Sequence, residues 1–250
     1  MILRRMAEAI REQNWFTVFI EFIIVVAGIF VGLQVSDWSK ERDNRALERA
    51  AIERLFVEAQ DAHELISFSA DRMARLNRVR RMAVTFFSGD APLPENTLPL
   101  KIGANNMAQF PSLQPVTSTY DELTSSGQMQ LIRSPELRAI ISNFHASLGV
   151  HNTLQAGFSS TSDEYWTAYR RNVTWRYNPE EPGGDIVLST FNWQVMREDE
   201  DFIFQLIGML RNQLVATRAI NGLQAQAKAM CDALGAADGR TCDETPPPNS

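Results

Sequence analysis

Histidine, cysteine and acidic residues are the side chains best suited to catalysis or metal binding, and their spacing here gives no recognised site. His63 and Glu64 begin like the zinc motif of metalloproteases, but Ser67 stands where that motif needs its second histidine. His145 and His151 are six residues apart, which puts them on opposite sides of a helix. The sequence also lacks a glycine-rich phosphate loop and a Gly-x-Ser-x-Gly nucleophile motif. We therefore predict a protein that is not an enzyme and has no cofactor or metal.

The two cysteines, Cys231 and Cys242, are separated by eleven positions in the segment CDALGAADGRTC. Gly235 can end a helix between them, and Asp238 with Gly239 can reverse the chain. A disulfide here would stabilise the fold by about 3 kcal/mol and would need an oxidising compartment. Two free thiols are the alternative, whereas a zinc site would need a second pair or a nearby histidine.

An aromatic segment at residues 165–177 (YWTAYRRNVTWRY), followed by Trp193, is a candidate binding surface. Tyr, Trp and Arg dominate the residues that carry most binding energy in protein interfaces. The same aromatic types also fill cores, so the sequence leaves both interpretations open. The candidate contact residues are Tyr165, Trp166, Tyr169, Arg170, Trp175, Tyr177 and Trp193.

A basic run is the second candidate surface, and it consists of Arg72, Arg75, Arg78, Arg80 and Arg81. It could bind a phosphate or an acidic partner. The alternatives are a solvated helix face, or pairing with acids of this chain such as those at 198–201.

Residues 16–35 (FTVFIEFIIVVAGIFVGLQV) are apolar almost throughout and long enough to cross a bilayer. At about 1.5 Å per residue they span roughly 30 Å, the thickness of the hydrocarbon core. Trp15 and Trp38 bracket the run at the spacing of the two interfacial aromatic belts. A buried core helix would keep a polar face, and a cleaved signal peptide would show a small-residue cleavage site. We therefore predict an uncleaved transmembrane helix at 16–36, with the lipid bilayer as its surroundings.

One face of this predicted span carries small and polar residues. Glu21, Val25, Gly28 and Gly32 lie within about 60° of one another when each residue turns the helix by about 100°. The GxxxG pair lets two helix backbones approach closely, and a carboxylate at membrane depth is costly without a partner. We predict that this face contacts a second copy or a partner helix. A chance GxxxG match, with Glu21 reaching the headgroups, is the alternative.

Composition limits the classes of partner. The chain has 250 residues and a formal net charge of −6, and 44% of its residues are hydrophobic. The part that follows the span is long enough for one domain with its own core. Charged residues before position 36 cancel, so this domain carries the acidic balance, which argues against nucleic acid as a partner.

Positive residues flank the span on both sides, so charge alone does not fix its orientation. A long trailing domain can be translocated largely regardless of its charge, whereas the leading segment is too short to fold alone. We predict a bacterial inner (plasma) membrane protein with its N-terminus in the cytoplasm and its domain in the periplasm.

The order of helix-forming and helix-breaking segments predicts an all-α protein. Residues 1–15 are predicted as a short cytoplasmic amphipathic segment, and residues 37–87, which lack proline and glycine, as a long juxtamembrane helix. Residues 88–117 are rich in proline, glycine and asparagine and are predicted as an irregular loop or as short irregular helices. Residues 118–235 complete a helical bundle against which 37–87 packs, and residues 236–250 form a flexible tail.

Local signals place the starts of the later helices. Thr119 with Glu122 fits a capping box for a short helix. Ser134 before Pro135 predicts an N-cap followed by proline at the first helical position. The acidic run 198–201 suits the N-terminus of the final long helix and its dipole.

Two segments carry distinctive patterns. Residues 21–42 (EFIIVVAGIFVGLQVSDWSKER) contain a glutamate, an apolar run with a glycine, then a glutamine and a tryptophan before charged residues. Residues 119–132 (TYDELTSSGQMQLI) contain a Tyr-x-x-Leu-x-x-Ser-Gly element. Both patterns resemble the DUF6090-type family of bacterial single-span membrane proteins. The resemblance implies a membrane anchor and a helical domain, and it implies no activity.

We therefore expect a membrane-anchored helical protein that acts as an interaction or assembly component, through its span and its aromatic segment. A homo-oligomer or a membrane partner helix is the expected partner. The alternative is an extracytoplasmic ligand-sensing domain that acts through a partner membrane protein. A polar pocket between helices would favour the sensor, and a solid core with an exposed aromatic patch would favour the contact protein.

Overall fold

The computed structural model describes residues 15–177, 179 and 186–242. The predicted all-α class is confirmed for these residues, with one β-hairpin added. The predictions for residues 1–14 and 243–250 lie outside them. The elements are α1 (Trp15–Phe87), α2 (Leu98–Asn105), α3 (Ser118–Ser125), a 3-10 helix (Gln128–Leu131), α4 (Pro135–Arg170), β1 (Val173–Tyr177), β2 (Ile186–Phe191), α5 (Trp193–Glu198) and α6 (Glu200–Asp238).

Helix α1 contains the apolar segment and continues past it. Its 73 residues run without a break, as the absence of proline and glycine between 37 and 87 predicts. The chain divides into two compact units, Met1–Ala50 and Ala51–Ser250, so the apolar segment belongs to the first. Its most apolar window has a mean hydropathy of 2.2, and none of that window is buried within the protein. One helix near the N-terminus is therefore long and apolar enough to span a membrane.

The second unit is organised around three long helices. Apolar residues of α1, α4 and α6 form its larger core cluster, at the three- and four-residue spacing of amphipathic helices. Ala59 and Ala62 occupy inward positions of α1, where small side chains let neighbouring helices approach closely. The long helix therefore packs against later helices of the same chain, as predicted.

The predicted starts of α4 and α6 are confirmed by their caps. The Ser134 hydroxyl accepts a hydrogen bond from the Leu137 amide at 3.1 Å, with Pro135 in the first turn. The Asp199 carboxylate accepts one from the Phe202 amide at 3.0 Å. Both caps satisfy amides that the helix itself leaves unpaired, so each start is fixed by neighbouring residues in the sequence.

A second core cluster joins the end of α1 to α2, α5, the base of the hairpin and the facing ends of α4 and α6. Aromatic rings dominate it. Phe87 lies 5.2 Å from Phe202 and 5.9 Å from Trp193, measured between ring centroids, and Trp193 stacks on Phe191 at 4.8 Å. These rings hold the hairpin and α5 against the three long helices.

The segment 88–117 is not irregular throughout, because it contains α2. The Asn96 side chain accepts a hydrogen bond from the Leu98 amide at 3.1 Å at the start of this helix. A Cβ atom at Gly103 would lie 2.2 Å from the carbonyl oxygen of Val79, so glycine is needed where α2 meets the α1 backbone. The alternative of short helices in this segment is therefore correct for these eight residues, although their position among loop-forming residues was not predicted.

The predicted capping box of α3 is wrong. Thr117 is the N-cap residue and makes no cap with its side chain, and Glu122 pairs with Arg54 of α1 instead. The cap comes from Glu58 of α1, whose Oε1 accepts from the Thr119 amide at 2.8 Å and from the Thr119 hydroxyl at 2.7 Å. A carboxylate distant in the sequence therefore provides what a local residue was expected to provide.

The hairpin β1–β2 was not predicted. Val173 lies opposite Phe191 and Tyr177 opposite Ile186, with an irregularity in the register after Thr174. A signal was present, since Val173, Trp175 and Tyr177 alternate with polar residues ahead of a proline- and glycine-rich segment. The final helix also reaches Asp238, so the predicted tail at 236–250 starts too early.

Candidate contact surface

The structure divides the predicted contact residues between core and surface. Tyr165 and Tyr169 are fully buried in the second core cluster. The Tyr165 hydroxyl donates to the carbonyl oxygen of Ala104 in α2 at 2.5 Å. Burial raises the pKa of both phenols well above its ordinary value. These two tyrosines therefore tie α4 to the rest of the fold and are not available to a partner.

Trp166 and Trp193 are half-buried at the edge of the same cluster. Trp166 meets Tyr169 edge to face at 5.5 Å, and Trp193 packs between Phe191 and Phe87. Their rings are used mainly in packing, which leaves only part of each indole exposed.

Trp175 and Tyr177 are the exposed aromatic residues of the segment, at 42% and 65% exposure. Both belong to β1, in which every residue after Val173 is exposed. A strand points alternate side chains to opposite faces, so both faces of β1 are open to solvent beyond its base. Arg170, at the end of α4, is exposed as well.

Polar contacts fix the base of this hairpin. The Asn192 amide donates to the Asn172 carbonyl at 3.1 Å, and the Asn172 side chain donates to Asp199 at 2.9 Å. Arg171 pairs with Asp201 at 2.7 Å on the surface. Asp199 thus caps α6 and also holds the hairpin base, so the direction in which the hairpin leaves the domain is set by α6.

The basic run does not form one surface, because Arg80 is fully buried. Its guanidinium donates to the carbonyl of Asn106 at 2.7 Å and to that of Gln109 at 2.9 Å. It also donates to the side-chain oxygens of Gln213 at 2.9 Å and Asn77 at 3.0 Å. All of these acceptors are neutral, and burial lowers the pKa of Arg80 to about 10. Arg80 thus occupies an inward position of α1, where apolar residues would be expected. There its guanidinium connects α1 by hydrogen bonds to the C-terminal end of α2 and to α6.

The remaining arginines of the run are exposed: Arg72, Arg75, Arg78 and Arg81. The predicted alternative, pairing with the acids at 198–201, is not what the structure shows, because Asp199 and Asp201 bond to Asn172 and Arg171. Within the described part of the chain these four arginines form no ion pair. They therefore lie on a solvent-exposed face of α1, which is the other alternative that the sequence offered.

In the first unit, the predicted interface residues of the span are all exposed: Glu21, Val25, Gly28 and Gly32. A Cβ atom added at either glycine would meet no other atom within 4 Å. Trp38 is exposed, whereas the side chain of Trp15 lies outside the described residues. The face is therefore open to a second helix, and its use as an interface stays a prediction.

The three histidines lie apart from one another, and two of them pack against aromatic rings. Among the described residues, no cluster of three or more His, Cys, Asp or Glu side chains could hold a metal. His145 stacks on Tyr120 with ring centroids 3.5 Å apart, and burial lowers its pKa to about 4. His151 is buried in the seam between α4 and α6, and burial lowers its pKa too.

The cysteines form the disulfide that their spacing allowed, and it joins Cys231 of α6 to Cys242. Gly239, with a φ of 73°, ends α6, and the Arg240 amide donates to the Gly235 carbonyl at 2.8 Å. A Cβ atom at Gly235 would lie 2.7 Å from the Arg240 carbonyl oxygen, so glycine permits this return of the chain.

The sequence matches no family model, and comparison with curated proteins and with solved structures finds no similar chain. The resemblance carried by residues 21–42 and 119–132 therefore stays a prediction. Function has to be inferred from the surfaces described above.

Proposed function

We propose that the protein is a single-pass membrane protein whose helical domain works by binding another protein. The anchor is supported by the complete exposure of the apolar window in α1, because the core helix of a soluble protein would be covered by other elements. The proposal places the chain in a bacterial inner membrane, with the N-terminus in the cytoplasm and the domain outside. The disulfide supports this orientation, since cytoplasmic thiols are usually kept reduced.

One observation carries the contact function: the hairpin extends Trp175 and Tyr177 from the domain with both faces of β1 exposed. An isolated two-stranded hairpin is marginally stable in water. Among the described residues the sheet has only these two strands, so a further strand could add to it. A partner that covers one face or adds a strand would bury the two rings.

The span supplies the second contact of the proposal. Its stripe of Glu21, Val25, Gly28 and Gly32 is open in the structure and would let a second copy or a partner helix approach closely. The glutamate would find in that helix the polar partner that lipid does not offer.

Site-specific photocrosslinking tests the hairpin contact. The full chain carries a photoreactive benzoylphenylalanine at Tyr177 and is irradiated in its native membranes. We expect an adduct of defined mass, whose partner mass spectrometry identifies. Phe204 on α6 is the matched control, because it is an aromatic residue with 73% exposure outside the hairpin. The absence of an adduct at Tyr177, or the same adducts at both positions, would contradict the proposal.

A double variant, Trp175→Ala with Tyr177→Ala, supports the same test by co-purification. Both rings are exposed, so thermal unfolding of the variant should stay close to that of the wild type. The partner should be lost from the double variant and kept by Phe204→Ala. Equal recovery with both variants would argue against the hairpin as the contact.

The ligand-sensing alternative has one observation in its favour. The packing between α4 and α6 is not solid, because two cavities open along their seam. A sensor would use these cavities, whereas a contact protein has no need of them.

A further inference from the structure

The seam between α4 and α6 contains two cavities on successive turns of the same helix pair. One has a volume of about 290 Å³ and the other of about 220 Å³. The larger is mostly apolar, and its walls include Phe110, Leu154, Phe158 and Val215. The smaller is mostly apolar as well, with Val150 and Leu223 in its walls, and it also has the polar residues Ser147, Arg218 and Gln226 along its border. Volumes of this size suit a small ligand rather than a large cofactor.

His151 is an unusual residue in the smaller cavity. Its side chain is only 1% exposed, and neither ring nitrogen makes a hydrogen bond of normal geometry. Phe110 covers one side of the imidazole at 5.2 Å between ring centroids. Burial lowers the pKa of His151, against a smaller opposing effect of the Pro111 carbonyl, so the ring is neutral and has one donor and one acceptor. The Pro111 carbonyl is thus the polar group that acts on this ring, and both ring nitrogens are buried away from the open space of the cavity.

We propose that the seam binds a small organic carboxylate with an apolar chain. Arg218 lines the smaller cavity, and its guanidinium carries the planar pair of donors that matches a carboxylate. The walls of both cavities contain no acidic residue to repel the anion. The apolar chain would extend toward Leu154 and Phe158 in the larger cavity, whose walls are mostly apolar.

Two glycines keep the groove open. Gly222 borders the smaller cavity and Gly157 the larger one, and a Cβ atom at either would meet nothing within 4 Å. A larger side chain at these positions would enter the cavities without a clash with the backbone. This binding site is independent of the hairpin, and its failure would leave the proposed contact function untouched.

Equilibrium dialysis of the purified full chain in detergent tests the site, with radiolabelled hexanoate as the probe. Protein-free micelles in a parallel cell correct for partition into detergent. We expect saturable retention that excess unlabelled hexanoate displaces and that 1-hexanol, which lacks the charge, does not. Arg218→Gln should weaken retention by at least about tenfold, because it removes a charge-assisted pair of hydrogen bonds.

Gly157→Leu should also weaken retention, by filling the apolar cavity. Arg211→Gln is the matched control, since Arg211 is exposed on α6 and does not line either cavity. All three positions are exposed, so the variants should fold, which thermal unfolding verifies. Retention no greater than in protein-free micelles would overturn the proposal. Equal retention by Arg218→Gln, Gly157→Leu and Arg211→Gln would overturn it as well.

Discussion

Replacing Arg80 by methionine should destabilise the domain although it removes a buried charge. Methionine is long enough to fill the space but cannot donate a hydrogen bond. The side-chain oxygens of Gln213 and Asn77 then lose the donor that Arg80 provides. The carbonyls of Asn106 and Gln109 keep a second donor, from the Gln109 amide at 3.2 Å and the Gln213 side chain at 2.8 Å. Two acceptors are therefore left buried and unpaired.

The cost follows from those two acceptors. Each unpaired buried group costs about 1–3 kcal/mol, which gives roughly 2–6 kcal/mol for the pair. Removing the charge offsets part of this, because burial disfavours the guanidinium, as its pKa of about 10 shows. We expect a net loss of about 3 kcal/mol in the free energy of unfolding. For a domain of this size the midpoint of thermal unfolding should fall by roughly 6–12 °C.

Tryptophan fluorescence of the full chain during thermal unfolding measures the change, since Trp166 and Trp193 lie at the edge of the second core cluster. Arg78→Met is the control, because Arg78 is exposed on the same helix and its loss should cost less than about 0.5 kcal/mol. Arg80→Lys should give an intermediate midpoint, because an ammonium group cannot reach all four acceptors. If Arg80→Met unfolds within about 1 °C of Arg78→Met, the buried network does not stabilise the fold and the reasoning is refuted.

Three further predictions concern pH, the disulfide and the span. The pKa of His145 is about 4 in the folded chain and about 6.5 when unfolded, so the unfolded state binds more protons between these values and stability should fall as pH drops through this window. His145→Phe keeps a ring against Tyr120 and should reduce that slope by about one proton in pH-dependent chemical unfolding; an unchanged slope would contradict the assignment. Reduction of the bond between Cys231 and Cys242 should lower the free energy of unfolding by about 2–3 kcal/mol. A reductant should therefore lower the unfolding midpoint of the wild type and leave that of a Cys231→Ser, Cys242→Ser variant unchanged. Gly28→Leu with Gly32→Leu should abolish self-association in a membrane two-hybrid assay without a change in domain stability, whereas Val26→Leu with Phe30→Leu on the opposite face should not; equal association of both variants would exclude the stripe.

Features set by neighbouring residues were predictable from the sequence. Ser134 and Asp199 cap helices that begin beside them, and the cysteines close a short loop, so each could be recognised from spacing alone. The long helix α1 was predictable because no residue that breaks a helix interrupts it after position 37.

Features that depend on distant residues were not predictable. Arg80 looked like part of a basic surface because its acceptor on α6, Gln213, lies 133 positions away. Glu58 gives no local sign of capping α3, and the burial of Tyr165 depends on a carbonyl of α2. Trp175 and Tyr177 are exposed whereas Tyr165 and Tyr169 of the same segment are buried, a difference that depends on the packing and that composition cannot show.

The cap that Glu58 provides makes the helicity of α3 conditional on α1. The helix has only eight residues, and its N-cap residue Thr117 makes no side-chain cap of its own, so a free peptide of this segment should be unstructured. Its first turn gains the cap only once α1 has brought the carboxylate to the Thr119 amide, so we expect α3 to become stable after α1 is in place. In native-state hydrogen exchange this amide should therefore exchange only when α3 separates from α1. Exchange at the Thr119 amide would therefore measure how often α3 and α1 separate.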